Sequence, residues 1–91
     1  MEWIWDVIKA ERNRIKHGLS FETAILVFDD PMQISLPDPH PDGDRWRTIG
    51  RVSHSTLFVV HTLIEDDGHG RIISARRATA SERKSYEEAR S

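Results

Sequence analysis

Residues 71–87, RIISARRATASERKSYE, decide how this chain closes and what kind of sheet it builds. RIISARRA carries the isoleucine pair Ile72 and Ile73 and is bounded by a glycine-containing turn, so it reads as a strand. Thr79 then opens T-x-x-E with Glu82. That is a capping box, in which the threonine hydroxyl and the glutamate carboxylate each take one of the free backbone N–H groups of a helix start. A helix is therefore expected from Ala80 towards Arg90. The strand ends in two adjacent arginines, Arg76 and Arg77. On a regular strand they point to opposite faces, and both can serve one site only where the strand twists or ends. Either they are surface charges, one of them answered by Glu82, Glu87 or Glu88 on the following helix, or they wait for a phosphate.

Working outward, EDDGHG is a hairpin turn, and LFVVHTLI before it is the most apolar stretch, hence the central strand. HST turns the chain from RWRTIGRV, a further strand in which Gly50 can host a bulge. MQISL alternates as a strand, and the proline-rich PDPHPDGD behind it is a loop. Near the N-terminus Asp6 is placed to cap a helix running to His17, with Gly18 ready for the left-handed turn that ends it. Its apolar face is thin: Ile8, Ala10 and Ile15. Ser20 caps a second helix, on which Phe21, Ala24, Ile25 and Phe28 form one stripe until Pro31 stops it. EWIW, residues 2–5, can add a short strand in front. The expectation is a single α+β domain over residues 1–91: two N-terminal helices, a four-stranded antiparallel meander with a short extra N-terminal strand, and a C-terminal helix.

Composition narrows the function classes. The chain has 91 residues and no cysteine, so neither a disulfide framework nor thiol catalysis is available. MEWIWDVIKAER turns charged at once, unlike a secretory leader, and no run reaches the length of a membrane span. A cytoplasmic protein is expected. Net charge is −2, yet the charge is segregated. Five aspartates and no lysine or arginine lie between Asp29 and Asp44, while the cations gather elsewhere. Local fields decide where an anion binds.

The five histidines show no pair at helical zinc-ligand spacing, and His40 with Asp38 and Asp42 reads as a solvated turn, so no metal and no cofactor is expected. No nucleotide-cradling glycine motif is present. The basic residues say more. In RWRTIGR a regular strand puts Arg45, Arg47 and Arg51 on one face and Trp46 on the other. Guanidinium on phosphate and an aromatic ring on a base is how single-stranded RNA is commonly held, whereas a core Trp46 among solvated arginines is the plain alternative. His17 can act as acid or base near neutral pH or can merely cap its helix. His61, in the most apolar strand, reads as a hydrogen-bonded core histidine. Tyr86 is a core phenol or a donor in a site.

Jointly, K-H-G followed by S-F-E-x-A, then I-G-R, then I-S-A-R-R-A-T-x-x-E-R, in this order along nearly the whole chain, resemble the BrnT toxin family. The resemblance implies a RelE-like domain and a metal-independent endoribonuclease of a type II toxin–antitoxin system. RNA carries its own nucleophile, the 2′-hydroxyl, so such an enzyme needs a base, an acid and cations for the phosphate. Carried onto this sequence, the resemblance makes Arg51, Arg76, Arg77, His17 and Tyr86 the catalytic candidates. Lys16 and Arg83 join Arg45, Trp46 and Arg47 as RNA-binding candidates. The implied partner is a BrnA-like antitoxin with a ribbon-helix-helix part, through which alone the complex would meet DNA. Two other functions fit the same residues: a non-catalytic module whose basic face docks a partner, and a transcriptional co-repressor acting only with its antitoxin.

Overall fold

The computed structural model describes residues 2–39, 44–63 and 68–90. The acidic turn at residues 65–67 and the loop positions of His40 and Asp42 lie outside them. In chain order the elements are β1 (Glu2–Ile4), α1 (Val7–His17), α2 (Phe21–Ala24), a 3-10 helix (Ile25–Asp29), β2 (Ile34–Pro37), β3 (Trp46–Val52), β4 (Ser55–His61), β5 (His69–Arg77) and α3 (Ala80–Arg90). The five strands form one sheet in the order β1-β5-β4-β3-β2. Strands β2 to β5 pair antiparallel with their chain neighbours, and β1 lies parallel to β5. The sheet is thus the expected four-stranded meander plus the short N-terminal strand, whose parallel pairing makes it mixed, and β4 occupies its centre.

Local chemistry sets the helix limits. Asp6 Oδ1 accepts from the N–H groups of Ile8 at 2.8 Å and Lys9 at 3.1 Å, which fixes the start of α1. Gly18 ends it with φ 68°, a conformation that costs only glycine nothing. The inward face of α1 is not the isoleucine face. Ile8 and Ile15 are 65% and 72% exposed, while Asn13 is buried against β5. Ile8 and Ile15, seven residues apart, share one side of the helix, and Ala10 with Asn13 takes another.

The second helix also departs from its expected course. Ser20 caps it through Thr23 N–H, but the α-helical turn lasts four residues and then tightens into the 3-10 form. Three residues per turn puts Phe21, Ala24 and Val27, all at 0% exposure, on one line, and displaces Phe28 to half-burial. Gly50 explains the selection of Val27. A Cβ at position 50 would lie 3.1 Å from both the Cβ and the carbonyl oxygen of Val27, so the glycine lets this helix approach the sheet. Gly50 pairs regularly with Leu57, and the bulge expected there sits instead in β5, where Ile73 is the extra residue opposite Val60 and His61.

That bulge reverses which side chains of β5 face which layer. Beyond it Ala75 faces Asn13 of α1, and Arg76 faces away, beside Phe58 and towards Glu82 of α3. The domain therefore has helices on both faces: α1, α2 and the 3-10 helix on one, α3 on the other. The core lies in the first layer, from Leu19, Phe21, Ala24 and Val27 to Leu57, Val59, Ile72 and Ala75. Trp3 closes one end, stacked on Phe28 at 4.1 Å with His61 edge-on at 5.3 Å. Gly70 makes room for it, since a Cβ there would come within 2.4 Å of the Trp3 ring.

Candidate functional site

Register fixes where each arginine points. Arg76 lies opposite Phe58 and Arg77 opposite Leu57, with regular pairing to the end of β5. The strand neither twists away nor stops between them, so the doublet divides between the two faces of the sheet. Its members live in different surroundings.

Arg76 is committed to the fold. Its Nη1 and Nη2 donate to the two carboxylate oxygens of Glu82 at 2.7 and 2.9 Å, and its guanidinium carbon lies 4.1 Å from the centre of the Phe58 ring. The parallel bonds match the planar fork to the carboxylate. Hydrogen bonding to Arg76 holds the Glu82 carboxyl below the ordinary carboxylate range, and the same bond raises Arg76. Glu82 meanwhile completes the capping box, accepting from Thr79 N–H at 2.8 Å while Glu82 N–H donates to Thr79 Oγ1 at 3.2 Å. One carboxylate thus caps α3 and ties it to β5.

Arg77 is placed otherwise. It is exposed, on the α1 side, and its guanidinium has no ion-pair partner among the described residues. It lines a groove of about 520 Å³ together with Arg14, Gly18, Ser20, Ser53 and Ser55. Lys16 and His17 immediately precede Gly18 in the last turn of α1, Lys16 exposed and His17 half-buried. The end of α1, the end of β5 and the β3–β4 hairpin therefore converge on one groove with basic and hydroxyl walls. Arg14 was not among the sequence candidates. It lies one helical turn before His17, which is the signal that could have raised it, although Glu11 already pairs with it at 2.5 Å.

Arg51 lies at the same end of the sheet but on the α3 side, opposite Thr56 of β4. It shares that face with Arg76. The two are separated by β4, roughly 10 Å across the sheet, and are two residues out of line. Neither is on the face that carries α1. The Arg51 N–H donates to Asp30 Oδ2 at 2.8 Å, and the Tyr86 hydroxyl donates to the same oxygen at 2.5 Å. Tyr86 is 1% exposed. Asp30, Arg51, Ser53 and Tyr86 line a second cleft of about 480 Å³. Arg83 is exposed in the first turn of α3.

The remaining candidates stand apart. Trp46 pairs with His61 at the far end of β3, some six residues or roughly 20 Å from the hairpin. It is half-buried and its Nε1 donates to Asp44 at 3.0 Å. Arg47 Nη1 is 4.0 Å from Asp38, and the Arg45 carbonyl accepts from Asp38 N–H at 2.8 Å. Arg47 and Arg51 share a face, as their spacing requires, but Arg45 to Arg47 sit among aspartates.

His61 is the core histidine its strand implied, 2% exposed. Its Nδ1 contacts the Thr62 carbonyl at 2.5 Å, and a carbonyl can only accept, so Nδ1 carries the proton. Nε2 then accepts from the Thr48 hydroxyl at 2.6 Å, which leaves Thr48 to accept from Ser35 at 2.7 Å. Burial lowers the His61 pKa, so this ring stays neutral.

No helix among the described residues is long and apolar enough to cross a membrane. Comparison with curated proteins finds no match. The model of one family, described as the ribonuclease toxin BrnT of type II toxin–antitoxin systems, matches residues 5–82, and thus covers all of α1 to β5 and the Arg76–Glu82 pair. The chain belongs to the BrnT family of ribonuclease toxins.

Proposed function

We propose that the chain is a metal-independent endoribonuclease that cleaves RNA at the groove shared by α1, β5 and the β3–β4 hairpin. The observation that carries this reading is the contrast within the doublet. Arg76 is closed off by Glu82, whereas Arg77 presents an unanswered guanidinium to a groove wide enough for a sugar–phosphate unit. Arginine's fork suits the equatorial oxygens of a phosphate on which charge is building.

In this mechanism the 2′-oxygen attacks the adjacent phosphorus and the bond to the 5′-oxygen breaks. A base takes the proton of the 2′-hydroxyl and an acid returns one to the departing oxygen. His17 is the proton-transfer group, Arg77 the phosphate clamp, and Arg51 a second cation reaching the strand from the other side of the hairpin. Lys16 and Arg83 hold neighbouring phosphates. Arg76 and Tyr86, whose polar atoms are already bonded to Glu82 and Asp30, act by position: they fix α3 and the ends of β3 and β5. The products are a 2′,3′-cyclic phosphate and a 5′-hydroxyl. The partner that silences the activity is a BrnA-type antitoxin, through which the complex meets DNA.

The closed Arg76–Glu82 pair favours one other reading, a module that acts only in complex with its antitoxin, because a family-motif arginine is neutralised before any RNA arrives. Purified chain incubated with RNA in EDTA separates the two. Cleavage that falls strongly in Arg77→Ala supports the enzyme; intact RNA from a folded chain supports the module.

A further inference from the structure

The outward face of α1 is unaccounted for by the core, by the groove or by the sheet. Val7, Ile8 and Ile15 are 76%, 65% and 72% exposed. Ile8 and Ile15 lie two turns apart on the side of the helix turned away from Asn13 and the sheet. Beside this pair run Lys9, Arg12 and Lys16, at helical spacing i, i+3 and i+7 and therefore in a line of their own. None of the three has an ion-pair partner among the described residues. In α1 the one acid is Glu11, already held by Arg14. A broken apolar strip, with Glu11 and Arg12 on the turn between Ile8 and Ile15, thus runs beside a basic border in which the Asp6 carboxylate partly offsets Lys9 and Arg12.

Three occupants can be weighed by chemistry. RNA would use the cations but gain nothing from two exposed isoleucines. A second copy packed α1 to α1 would set four cations and one acid against the same set, which repels. An acidic amphipathic segment answers both features, with apolar side chains on Val7, Ile8 and Ile15 and carboxylates on Lys9, Arg12 and Lys16. Resting on the reading of the chain as one half of a toxin–antitoxin pair, we propose that the outward face of α1 is the docking surface for an acidic amphipathic helix of the antitoxin. Seated there, such a helix runs along α1 to Gly18, where the groove of Arg77 begins, so grip and inhibition come from one continuous segment.

The test uses the full chain and its purified cognate antitoxin. Ile8→Ser/Ile15→Ser removes the apolar strip, and Lys9→Glu/Arg12→Glu reverses part of the border. All four side chains are exposed, so both variants should melt within a few degrees of wild type and cleave RNA at the wild-type rate. Each should bind the antitoxin at least about tenfold more weakly, since truncating a central interface anchor commonly costs that much or more. Wild-type binding should also weaken with salt, and binding of the charge-reversed variant should depend on salt less. Unchanged antitoxin affinity in both variants overturns the proposal. So does a loss of RNA cleavage with antitoxin affinity intact, which would give the face to RNA. A concentration-dependent dimer of the free chain that both variants abolish would give it to a second copy. Should the wild-type chain cleave no RNA at all, the nuclease reading fails while the affinity comparison still decides this one.

Discussion

Asn13 of α1 serves Ala75 of β5 as a neighbouring strand would. Its amide nitrogen donates to the Ala75 carbonyl at 2.8 Å, and its amide oxygen accepts from Ala75 N–H at 3.1 Å. Strand β1 covers the outer edge of β5 only from His69 to Arg71, and Asn13 pairs with that edge four residues further on. The same nitrogen donates to the Leu19 carbonyl at 3.1 Å, which also fastens the turn after α1. Asn13→Ala would leave buried backbone groups without partners. The expected loss is about 2–4 kcal/mol, at ~1–3 kcal/mol for each such group with partial relief by water. Urea unfolding measures it, and a loss below about 1 kcal/mol would mean that water replaces the amide.

Arg76 and Glu82 should behave as a stability pair. A double-mutant cycle with Arg76→Ala and Glu82→Gln is expected to give a coupling of about 1 kcal/mol, after allowance for the solvent that reaches the pair. Glu82 is held below its ordinary 4.5 in the folded chain. The unfolded chain therefore takes up the proton first as pH falls, so the stabilisation is present above pH 4.5 and is lost below it. Glu82→Gln should flatten stability over that acid range. A pH profile unchanged by the substitution would show that the pair is indifferent to stability.

His61 acts in a different window. Burial holds it below 6.5, so the unfolded chain binds a proton before the folded one does. Stability attributable to His61 is present above pH 6.5 and declines as pH falls from there towards the folded-state value. Thermal melts of wild type should lose stability between pH 6.5 and 5, and His61→Gln should lose less over the same interval. An equal decline in both would place the responsible group elsewhere. Thr48→Val should destabilise at every pH, because Ser35 and His61 both lose their bond to its hydroxyl.

The arginine doublet offers a test by contrast. Arg77→Ala should lower RNA cleavage by ~10²–10³, the usual cost of one donor to a developing oxyanion, and leave the melting temperature unchanged. Arg76→Ala should lower the melting temperature, and its activity should return on stabilising the fold by cooling. His17→Gln keeps a hydrogen-bonding side chain but cannot titrate. Its cleavage should fall sharply and lose the neutral-pH inflection, with folding intact. Equal activity losses in Arg76→Ala and Arg77→Ala at unchanged stability would place both in the site.

Capping signals were the most legible part of the fold, because each rests on a few adjacent residues. Asp6, Gly18, Ser20 and the Thr79–Glu82 box all act where the sequence places them. Facing was harder to read. Ile8 and Ile15 suggested the buried side of α1, but two hydrogen bonds to a residue 62 positions away turn Asn13 inward instead. No local pattern announces such a contact. The 3-10 helix escaped notice for a related reason: Phe21, Ala24, Ile25 and Phe28 satisfy an α-helical stripe, and only Gly50 on a distant strand selects Val27. For the site, alternation correctly separated Arg76 from Arg77. Which of them is free could not be read, because Glu82 lies six residues on and its second role, beyond capping, depends on how α3 folds over the sheet.

RNA cleavage by the purified, antitoxin-free chain in EDTA tests the central claim most directly, with the chemical nature of the new ends as the readout. Attack by the 2′-hydroxyl at the Arg77 groove predicts fragments ending in 2′,3′-cyclic phosphate and beginning with 5′-hydroxyl, formed at a rate that Arg77→Ala lowers by ~10²–10³. Intact RNA from a folded wild-type chain, or fragments carrying 5′-phosphate, would contradict it.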